Sequence, residues 1–275
     1  MRFPVWQTAV DVLDFLWRER KLLVRHGTLP FLVSMSAFVI AKGFGIDMDR
    51  PQRDDIPHLL LVLLVQLIIF LPMTVTWYRL SVLGEAEGER PIFALGRLEG
   101  RFLLWQVLLG LLVGAGASVA IVPIAILYVV ADAMGLGAQA LVICAVLGVG
   151  VVIGAFLAIA RLSLVLVQAA LGGPVHFKES WRLTKGIGWR IVSALGLIGL
   201  AILTFNLLFS LTAFIVGGIG AAASGSELEN VLVYFRMVGR SASGVLSGAA
   251  VATLMSFIYR TVLTQAAPAE GAGTL

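Results

Sequence analysis

Six long apolar runs leave this chain few folds to choose from. They lie at about Thr28 to Gly45, Pro57 to Tyr78, Phe102 to Ala131, Gln139 to Ala160, Ile191 to Ala223 and Ser241 to Tyr259. Each is long enough to carry a helix across about 30 Å of hydrocarbon at 1.5 Å rise per residue. In lipid every backbone N–H and C=O must be satisfied within the protein, so runs of this kind fold as helices. Only 13% of the 275 residues are charged and 59% are hydrophobic. A water-soluble domain carries about a quarter charged residues, so the composition argues against one. The third and fifth runs exceed the bilayer requirement, which implies tilt, a kink at Pro123 or extension into the headgroups. The expected fold is all-α: one polytopic domain over residues 1–265, a disordered tail at 266–275, and no room for a separate soluble domain. The opening MRFPVWQTAVDVLDF carries two acids and no small-residue cleavage site, so it does not read as a signal peptide.

Basic residues flanking a span resist translocation and so set orientation. Fifteen fall on one side: Arg2, Arg18, Arg20, Lys21, Arg25, Arg79, Arg90, Arg97, Arg101, Arg161, Lys178, Arg182, Lys185, Arg190 and Arg260. Five fall on the other: Lys42, Arg50, Arg53, Arg236 and Arg240. That asymmetry predicts a multi-pass protein of the bacterial cytoplasmic membrane with both termini in the cytoplasm. The formal charge of +4 is spread among apolar segments rather than gathered in one patch, so anionic lipid headgroups are the expected partner and nucleic acid is not.

The even-numbered spans end alike, in TWYRLSVLGE around Arg79, AIARLSLVLV around Arg161 and FIYRTVLTQA around Arg260. The approaches to the odd spans also match. Trp17, Arg18 and Lys21 resemble Trp181, Arg182 and Lys185, while Phe93, Arg97, Arg101 and Trp105 share the spacing of Phe177, Trp181, Lys185 and Trp189. A spacing of four marks one helical face. The reading is a threefold repeat over about 5–80, 91–163 and 174–262, each unit an amphipathic cytoplasmic helix followed by a transmembrane hairpin. In the first such helix Gln7, Asp11, Asp14, Arg18, Lys21 and Arg25 form a polar face beside an apolar stripe of Trp6, Val10, Leu13 and Trp17. The third unit is longer than the others. Its expected insertion, Ser226 to Arg240, reads as an extracytoplasmic interfacial helix. The competing reading, that Arg236 and Arg240 line a conduit, places each at a cost of about 2.5–3.5 kcal/mol at mid-membrane.

Catalytic signals are sparse. Asp47, Asp49, Asp54 and Asp55 offer oxygen ligands, but Arg50 and Arg53 neutralise them and no calcium-loop spacing is present. His26, His58 and His176 fall in different segments and read as headgroup contacts or loop residues. No P-loop, HExxH, GxSxG or dinucleotide fingerprint occurs, and the single Cys144 forms no thiol pair. No enzyme activity, cofactor or metal is therefore expected. Gln66, Gln106 and Asn206 are the intramembrane polar candidates, read first as glue between helices. The stripes Gly110–Gly114, Gly150–Gly154–Ala158 and Gly244–Gly248–Ala252–Ser256 are expected to pack helices within the chain, with a homo-oligomer as the other use.

With Trp-Tyr-Arg at 77–79 followed by Leu83-Gly84-Glu85, then ARLSLVLVQAA and SWRLTKGIGWR, the chain resembles bacterial membrane proteins related to the membrane domain of glycerophosphoryl diester phosphodiesterases. The resemblance implies a stand-alone membrane module. Hydrolysis in such enzymes belongs to a separate soluble barrel, so no functional residue carries over. The expected function is a non-catalytic, lipid-interacting or membrane-organising role built on a headgroup belt. Its residues are Trp17, Arg18, Lys21, Arg79, Arg97, Arg101, Trp105, Arg161, Trp181, Arg182, Lys185, Trp189 and Arg260. A small-molecule or lipid transporter is the alternative, and a membrane-embedded lipid-processing enzyme a weaker one.

Overall fold

The computed structural model describes residues 4–44, 46, 55–84, 95–224 and 228–266. Among them the secondary structure is helical throughout: α1 Val5–Arg18, α2 Arg20–Gly43, α3 Ile56–Leu83, α4 Arg97–Ala133, α5 Gly137–Leu162, α6 Leu164–Ala170, α7 Phe177–Leu183, α8 Gly188–Ser224 and α9 Leu228–Ala266. Six stretches are long and apolar enough to cross a membrane: α2, α3, α4, α5 continued through α6, and the apolar parts of α8 and α9. The tail, the acidic residues Asp47, Asp49 and Asp54, and Arg2, Arg50, Arg53, Arg90, Phe93 and Glu85 lie outside the described residues. Each of the six helices outruns its apolar core at one or both ends, because basic and hydroxyl residues that lower hydropathy do not stop a helix. Proline does not stop one here either, since Pro30, Pro72 and Pro123 lie inside α2, α3 and α4. In lipid, neighbouring helices and hydroxyl side chains re-satisfy the carbonyls a proline frees.

Consecutive long helices pack pairwise, α2 on α3, α4 on α5 and α8 on α9. Helix α9 also touches α1, α2, α3 and α6, which makes it the axis of the fold. Its stretch from Ala249 to Ile258 is buried at nearly every position. The buried residues concentrate at one end of the bundle, where Leu71 to Ser81 of α3, Phe102 of α4, Ala160 to Ala170 of α5 and α6, Ile187 with Ile191 to Ile198 of α8, and Val245 to Val262 of α9 converge with α1. Toward the opposite end the helices expose their apolar side chains, as with Leu111, Val119 and Val129 on α4, Val146 and Val149 on α5 and Leu207 and Phe214 on α8.

Two local expectations are corrected. The segment ending at Arg240 is not a separate interfacial helix: α9 runs unbroken from Leu228 through Arg236 and Arg240 into the sixth span. Nothing in 228–240 breaks it, since the one glycine, Gly239, costs only about 1 kcal/mol in a helix interior. Arg97, Arg101 and Trp105 likewise sit in the first turns of the spanning helix α4 rather than on a helix of their own. The start of α4 is held by one bond, the Gly96 N–H donating to the Glu99 carboxylate at 2.9 Å.

Small residues follow the expected stripes only in part: on α9, Ala252 and Ser256 are buried and a Cβ at Gly244 would lie 3.7 Å from Phe70 Cζ, but other positions do not pack. A Cβ at Gly110, Gly114, Gly150, Gly154 or Gly248 would meet no atom within 4 Å, so these glycines do not seat a neighbouring helix. Gly27 does, because a Cβ there would stand 2.6 Å from Val245 Cγ1. His26, the residue before it, was expected at the headgroups and is buried instead. Gly27→Ala is therefore expected to lower the thermal unfolding temperature in detergent, whereas Gly150→Ala leaves it unchanged or raises it through a helix-propensity gain of up to about 1 kcal/mol. Equal loss in both variants would mean that α2 and α9 are not in contact at Gly27.

Candidate functional site

The end motifs of the even spans lie together because the dense core holds them. In Trp77-Tyr78-Arg79 the two aromatics are buried. The Trp77 indole N–H donates to Thr253 Oγ1 of α9 at 2.8 Å, and Phe15 of α1 packs edge-on against the Trp77 ring, centroids 6.3 Å apart. Tyr78 lies against Phe102 at 5.6 Å. These aromatics serve packing rather than the surface. Arg79, half-buried, reaches the Ala170 carbonyl at the end of α6 at 3.4 Å.

The hydroxyl that follows each of the three motif arginines bonds back to its own helix. Ser81 donates to the Trp77 carbonyl at 2.8 Å, Ser163 to Ala160 at 2.8 Å and Thr261 to Phe257 at 2.8 Å. Such back-bonding bends helices. At Ser163 the effect is largest: α5 ends at Leu162, α6 begins at Leu164, and the Leu166 N–H turns to the Ser163 carbonyl at 2.9 Å. The Ser163 hydroxyl also contacts Met255 Sδ of α9 at 2.9 Å.

Arg101 and Arg161 are likewise tied to the protein. Arg101 donates to the carbonyls of Gly172 at 3.0 Å and Gly173 at 2.6 Å, fixing the α6–α7 turn, where Gly172 has a positive φ of 78°. The guanidinium of Arg161 stacks over Trp181 at 4.6 Å. Its backbone carbonyl accepts from Ser180 at 2.7 Å and Thr184 at 3.3 Å, so α7 is clamped to the end of α5 by both halves of one residue. Trp105 packs on Phe177 at 5.2 Å. Of the thirteen belt candidates, Arg79, Arg101, Trp105 and Arg161 are thus partly buried ties, while Trp17, Arg18, Lys21, Arg97, Trp181, Arg182, Lys185, Trp189 and Arg260 are exposed.

Helix α1 presents three faces. Thr8, Ala9, Val12 and Leu16 are buried against α8 and α9. The apolar stripe of Trp6, Val10, Leu13 and Trp17 faces outward, with both tryptophans 70% exposed. Gln7, Asp11, Asp14 and Arg18 make an exposed polar face, with Gln7 bonded to Asp11 at 2.9 Å. The sequence pattern located the second and third faces but missed the first. Alanine and threonine give little periodic signal.

The intramembrane polar residues divide by role. Gln66 of α3 donates to Ser34 of α2 at 3.3 Å, and Ser241 of α9 lies 3.2 Å from the same hydroxyl, so three helices share one polar junction. Gln106 is half-buried on α4. Asn206 of α8 donates to the Ile202 carbonyl at 3.0 Å and accepts from Ser243 of α9. It borders a cavity of about 550 Å³ between α8 and α9, whose wall includes Ser210, Arg236, Arg240 and three phenylalanines. The sequence named Asn206 and the two arginines separately, but only the continuity of α9 brings them to one cavity. Among the described residues no cluster of His, Cys, Asp and Glu is arranged to hold a metal ion.

The Trp77 site gives a quantitative test of what holds this end. Trp77→Phe removes the indole hydrogen bond and is expected to cost about 1 kcal/mol, since hydrogen bonds between membrane helices average about 0.6 and reach about 1.7 kcal/mol. Trp77→Ala also empties the core and is expected to cost about 3–5 kcal/mol, read as loss of unfolding free energy in mixed micelles. Equal costs would mean that the hydrogen bond, not packing, dominates. No family model matches this chain, and no curated protein or solved structure shows significant similarity to it.

Proposed function

We propose that this chain is a non-catalytic integral protein of the bacterial cytoplasmic membrane that binds anionic lipid headgroups of the cytoplasmic leaflet through a belt at its arginine-rich end. The observation that carries the reading is the exposed set at that end: Trp6, Trp17, Trp181 and Trp189 beside Arg18, Lys21, Arg97, Arg182, Lys185 and Arg260. Indole rings favour the membrane–water boundary, and each Lys or Arg near an anionic surface contributes about 1 kcal/mol. The four partly buried members orient the exposed ones, as Arg161 does for α7.

In this reading the chain consists of three related units, α1–α3, α4–α5 and α7–α9, with α6 joining the second to the third. The Arg-Leu-Ser, Arg-Leu-Ser and Arg-Thr back-bonds support that relation, as do the pairwise packed long helices. The amphipathic lead-in has diverged among the units, from the 14 residues of α1 to the 7 of α7. The resemblance to stand-alone membrane domains of glycerophosphoryl diester phosphodiesterases is compatible with such a module. The excess of basic residues puts the arginine-rich end in the cytoplasm.

Reversal of two exposed charges, Arg182→Glu with Lys185→Glu, is expected to lower the preference for phosphatidylglycerol over phosphatidylcholine in reconstituted vesicles about tenfold or more, measured with spin-labelled lipids. An unchanged preference with unchanged salt dependence refutes the belt. Orientation is tested separately in intact cells on a Cys144→Ala background. Met134→Cys, 69% exposed beside the α4–α5 turn, is expected to react with a membrane-impermeant thiol reagent from outside, and Thr264→Cys only after permeabilisation. The opposite pattern would invert the topology.

A further inference from the structure

Where α5 meets α7 and α8 the surface opens into a cavity of about 330 Å³ whose wall combines a cation with two indoles. Arg161 of α5, Trp181 of α7 and Trp189 of α8 stand around it, and its described lining contains no carboxylate. The depth of the cavity follows from α7. That helix carries Lys178, Glu179 and Arg182, and it is bonded through Ser180 and Thr184 to the Arg161 carbonyl. A segment so charged stays out of hydrocarbon, so Arg161 stands at headgroup depth.

The guanidinium of Arg161 is presented rather than consumed. Among the described residues its partner is the Trp181 ring, 4.6 Å from the centroid. The indole covers one side of the group and leaves N–H donors at its edges, the geometry that suits a phosphate. At Gly188 a Cβ would stand 3.1 Å from Arg161 Nε, so the bare glycine gives the group its room.

An apolar trough leads from this cavity into the bilayer. Gly154 and Ala158 border both spaces. With Val151 and Leu162 of α5 and Gly116 and Ala120 of α4 they line a second space of about 300 Å³ between the two helices. From Leu162, beside Arg161, to Val151 is eleven residues, which at 1.5 Å each is about 16 Å, the depth of one leaflet's hydrocarbon. Both walls run away from the arginine-rich end. The order along the site is that of a phospholipid: a cation among indoles at the boundary, then an apolar channel inward.

We propose that the cavity and its trough bind one anionic phospholipid of the cytoplasmic leaflet, its phosphate on Arg161 beside the two tryptophans and one acyl chain between α4 and α5. The inference rests on the belt reading and gives the belt one defined seat. A free inorganic anion shares the phosphate chemistry but makes no use of the trough.

The test uses the full chain in vesicles with a phosphatidylglycerol that carries a photoactivatable diazirine on one acyl chain, followed by peptide mapping. Labelling is expected to concentrate within 112–120 and 151–162. A Cβ at Gly154 meets no atom within 4 Å, so Gly154→Leu fills the trough without displacing a helix, and it is expected to remove most of the labelling. Arg161→Gln is expected to lower labelling about tenfold, the equivalent of losing one charge-assisted hydrogen bond. Unlabelled phosphatidylglycerol competes, and phosphatidylcholine does not. Undiminished labelling in either variant, or equal competition by phosphatidylcholine, overturns the site. If Arg161→Gln loses its thermal transition, Gly154→Leu decides alone. Competition by millimolar inorganic phosphate assigns Arg161 to a free anion and overturns the lipid. The belt is read separately, from the spin-label preference for phosphatidylglycerol, which Gly154→Leu leaves unchanged because it alters no charge. A site that fails while that preference persists falls alone, and the belt stands.

Discussion

A bundle of apolar helices in lipid has no hydrophobic drive to associate, because lipid tails solvate leucine as well as another helix does. What holds this one together is close packing supplemented by buried polar contacts, and both are concentrated around the last two-fifths of α9. Trp77 to Thr253, Ser163 to Met255 and the Tyr78–Phe102 ring contact all lie there. Gly27 against Val245 extends the same seam along α2. The positions of α1, α6 and α7 follow from that core. They are short or amphipathic segments that could not stand alone in water or lipid and are ordered by docking on spans already fixed.

The ends of the even spans gain their rigidity from this arrangement. Each motif arginine is followed by a hydroxyl that bonds back into its own helix, and two of the three guanidinium groups are tied to a neighbouring segment. Arg79 holds the end of α6 and Arg161 stacks beneath Trp181. Interior ties of this sort fix which other side chains face outward. An aromatic–basic surface is more selective when its members cannot rearrange, since less side-chain entropy is lost on each contact. The exposed aromatic and basic residues at this end therefore depend on the core for their placement, and a variant that loosens α9 disturbs them without touching one of them.

Hydropathy made the six long apolar helices legible, and spacing of four exposed the outward face of α1. Other features could not be read that way. Hydropathy treats Trp77 and Tyr78 like any interfacial pair, and only the arrival of Thr253 and Phe102 from distant sequence makes them interior. His26 looked like a surface residue between basic neighbours, yet it is buried. Conversely, glycines at spacing four on α4 and α5 resembled a packing seam, yet nothing approaches them. Spacing identifies a face, but not which neighbour, if any, meets it. Arg236 and Arg240 were legible as a pair on one face. Their relation to Asn206 required knowing that α9 continues unbroken, which local propensity permits without demanding.

The unpacked half of the bundle follows from the same physics. In water, the outward leucines, valines and phenylalanines of α4, α5 and α8 would form a patch that demands a partner. In a bilayer the acyl chains are that partner, so exposure carries no penalty and supplies no argument for an oligomer. Polar groups are treated differently, because lipid offers them nothing. Gln66 finds Ser34, Asn206 finds the Ile202 carbonyl and Ser243, and Cys144 lies against the Ile124 carbonyl. The α4–α5 hairpin packs chiefly on itself and meets the rest of the protein through α3, α6, α7 and α8. Its outer length is thus free to take the tilt that a given bilayer thickness imposes while the core around α9 keeps its contacts. A fold anchored at one end and lipid-solvated at the other keeps its packed end fixed in membranes of differing thickness.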